Sequence, residues 1–175
     1  MFREYLTKII DRKNLTQSEM SEMIGLIFSG EVGDSQVGAF MAALATKGET
    51  FEELAGAAQA MRRKALRIEA LGQTVVDTCG TGGDGANTFN ISTTTAFVVA
   101  GCGVTVAKHG NRSVSSKCGS ADLLENLGIN LNTAPEIVEE AIAEIGIGFL
   151  FAPLYHGAMK YAMTARKEVG VRSIF

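Results

Sequence analysis

The sequence predicts an α/β protein in two parts: an N-terminal helical bundle domain, residues 1–71, and a parallel α/β sheet domain, residues 72–175, the latter incomplete. Three observations carry this. Amphipathic helical repeats with capping signals fill the first part. After Gly72, short β-prone runs alternate with helical stretches, which is the pattern of a parallel sheet. Only about three strands can be counted there, fewer than parallel sheets covered on both faces normally have.

In the first part, Phe2, Leu6, Ile9 and Ile10 recur at helical spacing. Thr16 with Glu19 is a capping-box pattern opening a helix through Met20, Met23, Ile24, Ile27 and Phe28, with Gly30 as its stop. Asp34 or Ser35 caps the next helix, whose face is Val37, Phe40, Met41 and Leu44, ending near Gly48. Thr50 with Glu53 opens a fourth, whose face is Phe51, Leu54, Ala58 and Met61. Such stripes usually build a bundle, with a partner surface as the alternative.

In the second part, Thr74 to Asp77 is strand-like and runs into the cluster Gly80, Gly82, Gly83 and Gly85. A helix over Ser92 to Ala100, with Ser92 near its start, leads to a buried strand over Gly103 to Ala107. Ser120 caps a short helix carrying Leu123, Leu124 and Leu127, stopped by Gly128. Thr133 with Glu136, and Pro135 in the first turn, opens another that ends at Gly146. Ile147 to Phe151 is a third strand. A last helix runs from about His156 to Val169, stops at Gly170, and could pack on the first domain. The β-prone end Ser173-Ile174-Phe175 adds to the impression of a chain cut short.

Composition narrows the class. With 46% hydrophobic and 20% charged residues the chain reads as globular, and a net charge of -3 argues against a nucleic-acid binder. No run approaches membrane-spanning length, and the first ten residues lack a signal peptide's apolar core. Cys79, Cys102 and Cys118 are odd in number without CxxC spacing, which argues against disulfides or a zinc site and fits a reducing cytoplasm.

Against that background one segment stands out. Between Gly85 and Ala121 there is no Asp or Glu, while Lys108, His109, Arg112 and Lys117 all fall there. Glycines after a strand expose backbone N–H groups to an anion, and a following helix strengthens the effect. The segment therefore reads as a phosphate site for a small anionic ligand. Gly80 to Gly85 also matches GxGxxG, but a dinucleotide site expects an acid about twenty residues on. Lys108 stands in that neighbourhood, with no acid before Asp122, and the P-loop GxxxxGK[ST] is absent. Lys108, Asn111 and Arg112, leaving a strand end with the Ser113, Ser115 and Ser116 hydroxyls, are expected to line a pocket. His109 reads either as a general base or as a hydrogen-bonding structural histidine.

Asp77-Thr78-Cys79-Gly80-Thr81-Gly82-Gly83-Asp84, Thr88-Phe89-Asn90-Ile91-Ser92-Thr93, Lys108-His109-Gly110-Asn111-Arg112 and Gly119-Ser120-Ala121-Asp122 closely resemble the anthranilate phosphoribosyltransferase family. The likeness runs through Phe151 to His156 and Arg166, with Cys118 where the family is expected to have serine. The resemblance implies transfer of the phosphoribosyl group of 5-phosphoribosyl 1-pyrophosphate (PRPP) to the amine of anthranilate, with Mg²⁺, in tryptophan biosynthesis. It implies that Gly80, Gly83 and Asp84 receive the pyrophosphate. Thr88, Asn90, Ile91, Ser92 and Thr93 would hold further phosphate and ribose oxygens, Ser92 also touching the metal. Lys108, His109, Gly110, Asn111, Arg112, Ser113, Val114, Ser115 and Ser116, with Ser120, would hold the rest, and Gly80, Asn111 and Arg166 would meet anthranilate. A homodimer through the helical domain is implied too.

Family members are about twice this length, and their second half carries an Asp-Glu pair for a second magnesium. Glu52-Glu53 and Glu139-Glu140 are poor substitutes, so turnover by this chain alone is doubtful. A pyrimidine nucleoside phosphorylase-like enzyme and a non-catalytic phosphoribosyl-binding or assembly module are the rival readings.

Overall fold

The computed structural model describes residues 1–70, 74–80, 88–113, 118–171 and 174. It divides into two compact units, Met1–Ala65 with His156–Phe175, and Leu66–Tyr155.

The first unit is helical: α1 (Phe2–Ile10), α2 (Gln17–Phe28), α3 (Asp34–Lys47), α4 (Phe51–Lys64) and α9 (Lys160–Val169). Thr16 and Thr50 each accept the amide of the glutamate three residues on, and both capping boxes close. Met20, Met23, Ile24, Ile27, Val37, Phe40, Met41 and Leu44 are fully buried, so these stripes pack inside the unit. The α3 helix starts from Gly33, with Asp34 inside its first turn instead of capping it.

The expected face of α4 holds only at Met61, which is partly buried against the core. Phe51 is 92% exposed, while Glu53, Gly56, Ala57 and Ala60 face inward. Two causes act together. Glu53 is fully buried, accepting from Leu15 N (2.9 Å), Lys47 Nζ (2.8 Å) and Thr50 N (2.8 Å), which anchors the first turn. The small residues then let α4 press on α2; a Cβ at Gly56 would lie 2.3 Å from the Gln17 carbonyl oxygen. Hydrophobic periodicity cannot register a seam of small residues around a buried carboxylate.

The second unit centres on β1 (Val106–Gly110), paired in parallel with β2 (Ile147–Phe151) from Val106 opposite Ile147 to Gly110 opposite Phe151. On the other side of β1 the expected strand at residues 74–77 makes one parallel bridge, Val76 to Val106. Val76 N donates to Thr105 O and Ala107 N to Val76 O. Helices α5 (Ile91–Gly101), α6 (Ser120–Asn126), α7 (Pro135–Ile145) and α8 (Ala152–Tyr155) complete the unit.

Several sequence expectations shift here. The strand expected at 103–107 forms at 106–110, because Gly103, at φ +84°, is still turning out of α5 and the ladder starts at Val106. Lys108, His109 and Gly110 are thus in the strand, not after it. Asn90, not Ser92, caps α5, its carbonyl oxygen reaching the Thr93 amide at 3.1 Å. Gly119, not Ser120, precedes α6, and Leu127 lies exposed beyond its end. Ala134, not Thr133, precedes α7; the Thr133 hydroxyl donates to Asn130 O instead. The helix expected from His156 begins at Lys160, after a 3-10 turn over Gly157–Met159.

Candidate active site

Three pieces of the second unit converge: the strand-like segment 76–80, the head of α5 and β1. The bridge at Val76 fixes their register, so that Asp77 and Thr78 stand beside Lys108 and His109.

Strand alternation sends neighbouring side chains to opposite faces. Lys108 is 3% exposed, and its Nζ donates to the Thr78 carbonyl, to Ser92 Oγ (3.3 Å) and to the His109 carbonyl (3.5 Å). Burial pushes its pKa down, opposed by the nearby Asp77 and Cys79. Thr93, next on α5, is buried with no hydrogen-bond partner for its hydroxyl among the described residues. Ser92 Oγ in turn reaches Asn90 Oδ1 at 3.3 Å. One ammonium, two hydroxyls and the first turn of a helix therefore occupy one corner, an arrangement suited to anionic oxygens. His109, by contrast, is exposed, and the Asp77 carboxylate accepts from its backbone N (3.2 Å) and binds its Nδ1.

The stretch after β1 is tied down by one carboxylate. Asp122 Oδ2 accepts from Ser113 N (3.0 Å) and Gly119 N (2.8 Å), and these two amides hold its pKa below the usual carboxylate value. The chain crosses so closely that a Cβ at Gly119 would lie 2.3 Å from Ser113 N. Arg112 forks onto Glu125 (2.8 and 3.0 Å) and reaches Asp122 (3.1 Å); both carboxylates raise its pKa. Asn111 Oδ1 accepts from Arg112 N at 2.8 Å, and its backbone oxygen from Ala121 N at 3.2 Å.

Among the expected site residues, Asn90, Ser92, Thr93 and Lys108 are thus brought into one network. Gly80, Thr88 and Ile91 are exposed near it in sequence, Gly110 lies in β1, and Ser120 begins α6. Arg112 is engaged by the Asp122 and Glu125 carboxylates. Arg166 is exposed on α9 in the first unit. Gly83, Asp84, Val114, Ser115 and Ser116 lie outside the described residues.

Sequence reasoning assigned no role to Thr78, Asp77 or Asp122. Thr78 acts through its carbonyl, which no side-chain pattern reveals. The Gly-x-x-Asp spacing from Gly119 to Asp122, where a capping box would put its acid, was the available signal.

Beside this corner an apolar cavity of about 290 Å³ opens between α5, α7 and the sheet, with Phe97 and Phe149 in its wall and Thr93, Lys108, Asn130 and Thr133 as its polar lining.

The model of the glycosyl transferase family's a/b domain matches residues 72–175, and that of the same family's helical bundle domain matches residues 3–65. The chain belongs to the glycosyl transferase family. Within it, the anthranilate phosphoribosyltransferase of Desulfosudis oleivorans is 73% identical over 175 residues, all of this chain and 52% of the relative. The crystal structure of anthranilate phosphoribosyltransferase from Thermus thermophilus superposes with a TM-score of 0.88 at 44% identity, over 97% of this chain and 51% of the other. The Saccharomyces cerevisiae enzyme in complex with PRPP and Mg gives 0.89 at 27% identity, over 99% and 52%. The chain spans about half the length of the curated relatives it matches. Among the described residues, no helix is long and apolar enough to cross a membrane.

Proposed function

We propose that this chain serves anthranilate phosphoribosyl transfer: the amine of anthranilate attacks C1 of PRPP, the C1–O bond to pyrophosphate breaks, and N-(5-phosphoribosyl)anthranilate forms as the amine loses a proton. The observation that carries this reading is Lys108, a buried ammonium held against Ser92 at the head of an Asn90-capped helix. Such a group meets a phosphate by giving up its long bonds to Ser92 Oγ (3.3 Å) or the His109 carbonyl (3.5 Å), which favours leaving-group stabilisation and positioning. Asn90, Ser92 and Thr93 would orient phosphate and ribose oxygens, with Gly80, Gly83, Asp84, Thr88, Ile91, residues 109–116 and Ser120 in the same binding surface. Asn111 and Gly80 would meet anthranilate.

For Mg²⁺, Ser92 offers one hard oxygen, but Lys108 stands 3.3 Å from it. That set fits an ion carried on the substrate's phosphates, from which magnesium takes most of its ligands together with water. When bound there, the ion neutralises charge on the departing pyrophosphate.

A homodimer through the helical unit belongs to the same reading; Phe51 (92% exposed) and Leu54 (45%) give α4 an apolar outer face that a second copy would cover. So does a cytoplasmic location, in keeping with an odd number of cysteines and no CxxC spacing. A phosphoribosyl-binding module without turnover is the second reading, favoured by coverage of only about half of each relative.

The test is loss of anthranilate fluorescence with the purified 175-residue chain. Consumption that needs both PRPP and Mg²⁺ supports transfer. PRPP binding without consumption supports the module, and folded protein that does neither overturns both.

A further inference from the structure

Asp77, Cys79 and His109 form a mixed oxygen, sulfur and nitrogen cluster, with one donor atom from each lying within 4.8 Å of the other two. Cysteine spacing speaks only against a zinc site built on paired cysteines; these three residues come from two segments about thirty positions apart, joined by the Val76 bridge. We propose that Asp77, Cys79 and His109 form a binding site for a divalent transition ion of the zinc class.

The donor set suits that ion. Zinc accepts thiolate, imidazole and carboxylate, and three protein ligands plus water make a complete tetrahedral set. Softness separates this site from the magnesium chemistry above, since magnesium avoids sulfur. Ligands of one tetrahedral ion stand roughly 3–4 Å apart, so the side chains need to move by about 1 Å. All three are exposed and able to do so. The Asp77 carboxylate binds His109 Nδ1 already, and it would yield that nitrogen to the ion. Cys79 binds as thiolate, its proton passing to solvent; His109 binds neutral, with its proton on Nε2. Carboxylate and thiolate then set two negative charges against the Lys108 ammonium, leaving the site attractive to a cation.

Co²⁺ is the optical probe. One equivalent added to the full 175-residue chain should give a thiolate-to-cobalt charge-transfer band, lost in Cys79→Ser and kept in Cys102→Ser, another exposed cysteine. Zinc, measured by displacing the cobalt, should bind at least tenfold more weakly to His109→Gln and Asp77→Asn. Absence of the band in the parent, its survival in Cys79→Ser, or unchanged zinc affinity in the other two variants would overturn the site. Should a variant fail to fold, zinc K-edge absorption of the parent decides: one sulfur neighbour supports the site, and a shell without sulfur overturns it.

Discussion

The two units bury different things. The first covers large apolar side chains: Met20, Met23, Ile24, Ile27, Phe40, Met41 and Leu44 are all at 0% exposure. The second has a small buried cluster of Ala121, Leu124 and Leu131, leaves Val98 (61%), Ile137 (56%) and Ile145 (69%) open, and buries the polar Thr93 and Lys108. Burying apolar surface stabilises; burying a lysine costs unless its contacts recover the loss. The difference teaches that the first unit sets its buried charge, Glu53, inside a large apolar core, while the second buries Lys108 beside a smaller apolar cluster.

Phe40→Ala should break the comparison most sharply. It removes a fully buried ring from the first unit and should cost about 3–5 kcal/mol, read as a lowered urea midpoint for the helical signal. A loss below about 1 kcal/mol would mean that the core is looser than its burial indicates.

Next comes a charged pair buried in that core. Lys47 and Glu53 are 2.8 Å apart with side chains 4% and 0% exposed, so Glu53→Gln, which removes the counter-charge and leaves the ammonium only the Gly48 carbonyl and Asn14 Oδ1, should cost about 3 kcal/mol. Burial alone would raise the Glu53 pKa, but the Leu15 amide, Lys47 and the Thr50 amide together lower it. Because the folded value lies below the unfolded one, the carboxylate's contribution is present above the ordinary glutamate range, about 4.3, and lost as pH falls through the folded value. Thermal melts should therefore fall in acid for the parent and be flatter for Glu53→Gln. Equal slopes would remove Glu53 as the cause.

Lys108→Met sharpens the other side. PRPP affinity by calorimetry should fall about tenfold, equivalent to ~1.4 kcal/mol, while the melting temperature holds or rises as the buried charge is removed. A collapse in stability with unchanged affinity would make Lys108 a structural residue. The smallest effect belongs to Arg112→Ala. Its ion pairs to Asp122 and Glu125 are exposed and screened, so any change in melting temperature should be slight at low salt and vanish in high salt.

Much of the first unit was legible because its signals are local. Thr16-Glu19 and Thr50-Glu53 close their boxes within one turn, and the α2 and α3 stripes repeat at the helical period. The α4 face was not legible, since Gly56 and Ala60 carry no hydrophobic period and Glu53 looks like a surface acid until Leu15 and Lys47 meet it. In the second unit, the carboxylate-free stretch contains Ser92, Thr93 and Lys108, which the fold brings together. The strand register did not show, because parallel pairing is decided by a partner some forty residues away.

The sequence by itself determined which residues offer a charge, a hydroxyl or a thiol and where the texture turns from helical to alternating, because composition and period are properties of neighbours along the chain. Tertiary structure alone decided which of them meet. It buried Lys108 against Thr78 and Ser92, tied Arg112 to Glu125, closed 113 onto 119 through Asp122, and gathered Asp77, Cys79 and His109. Those encounters depend on the bridge at Val76 and the ladder from β1 to β2, long-range hydrogen bonds that no local pattern encodes.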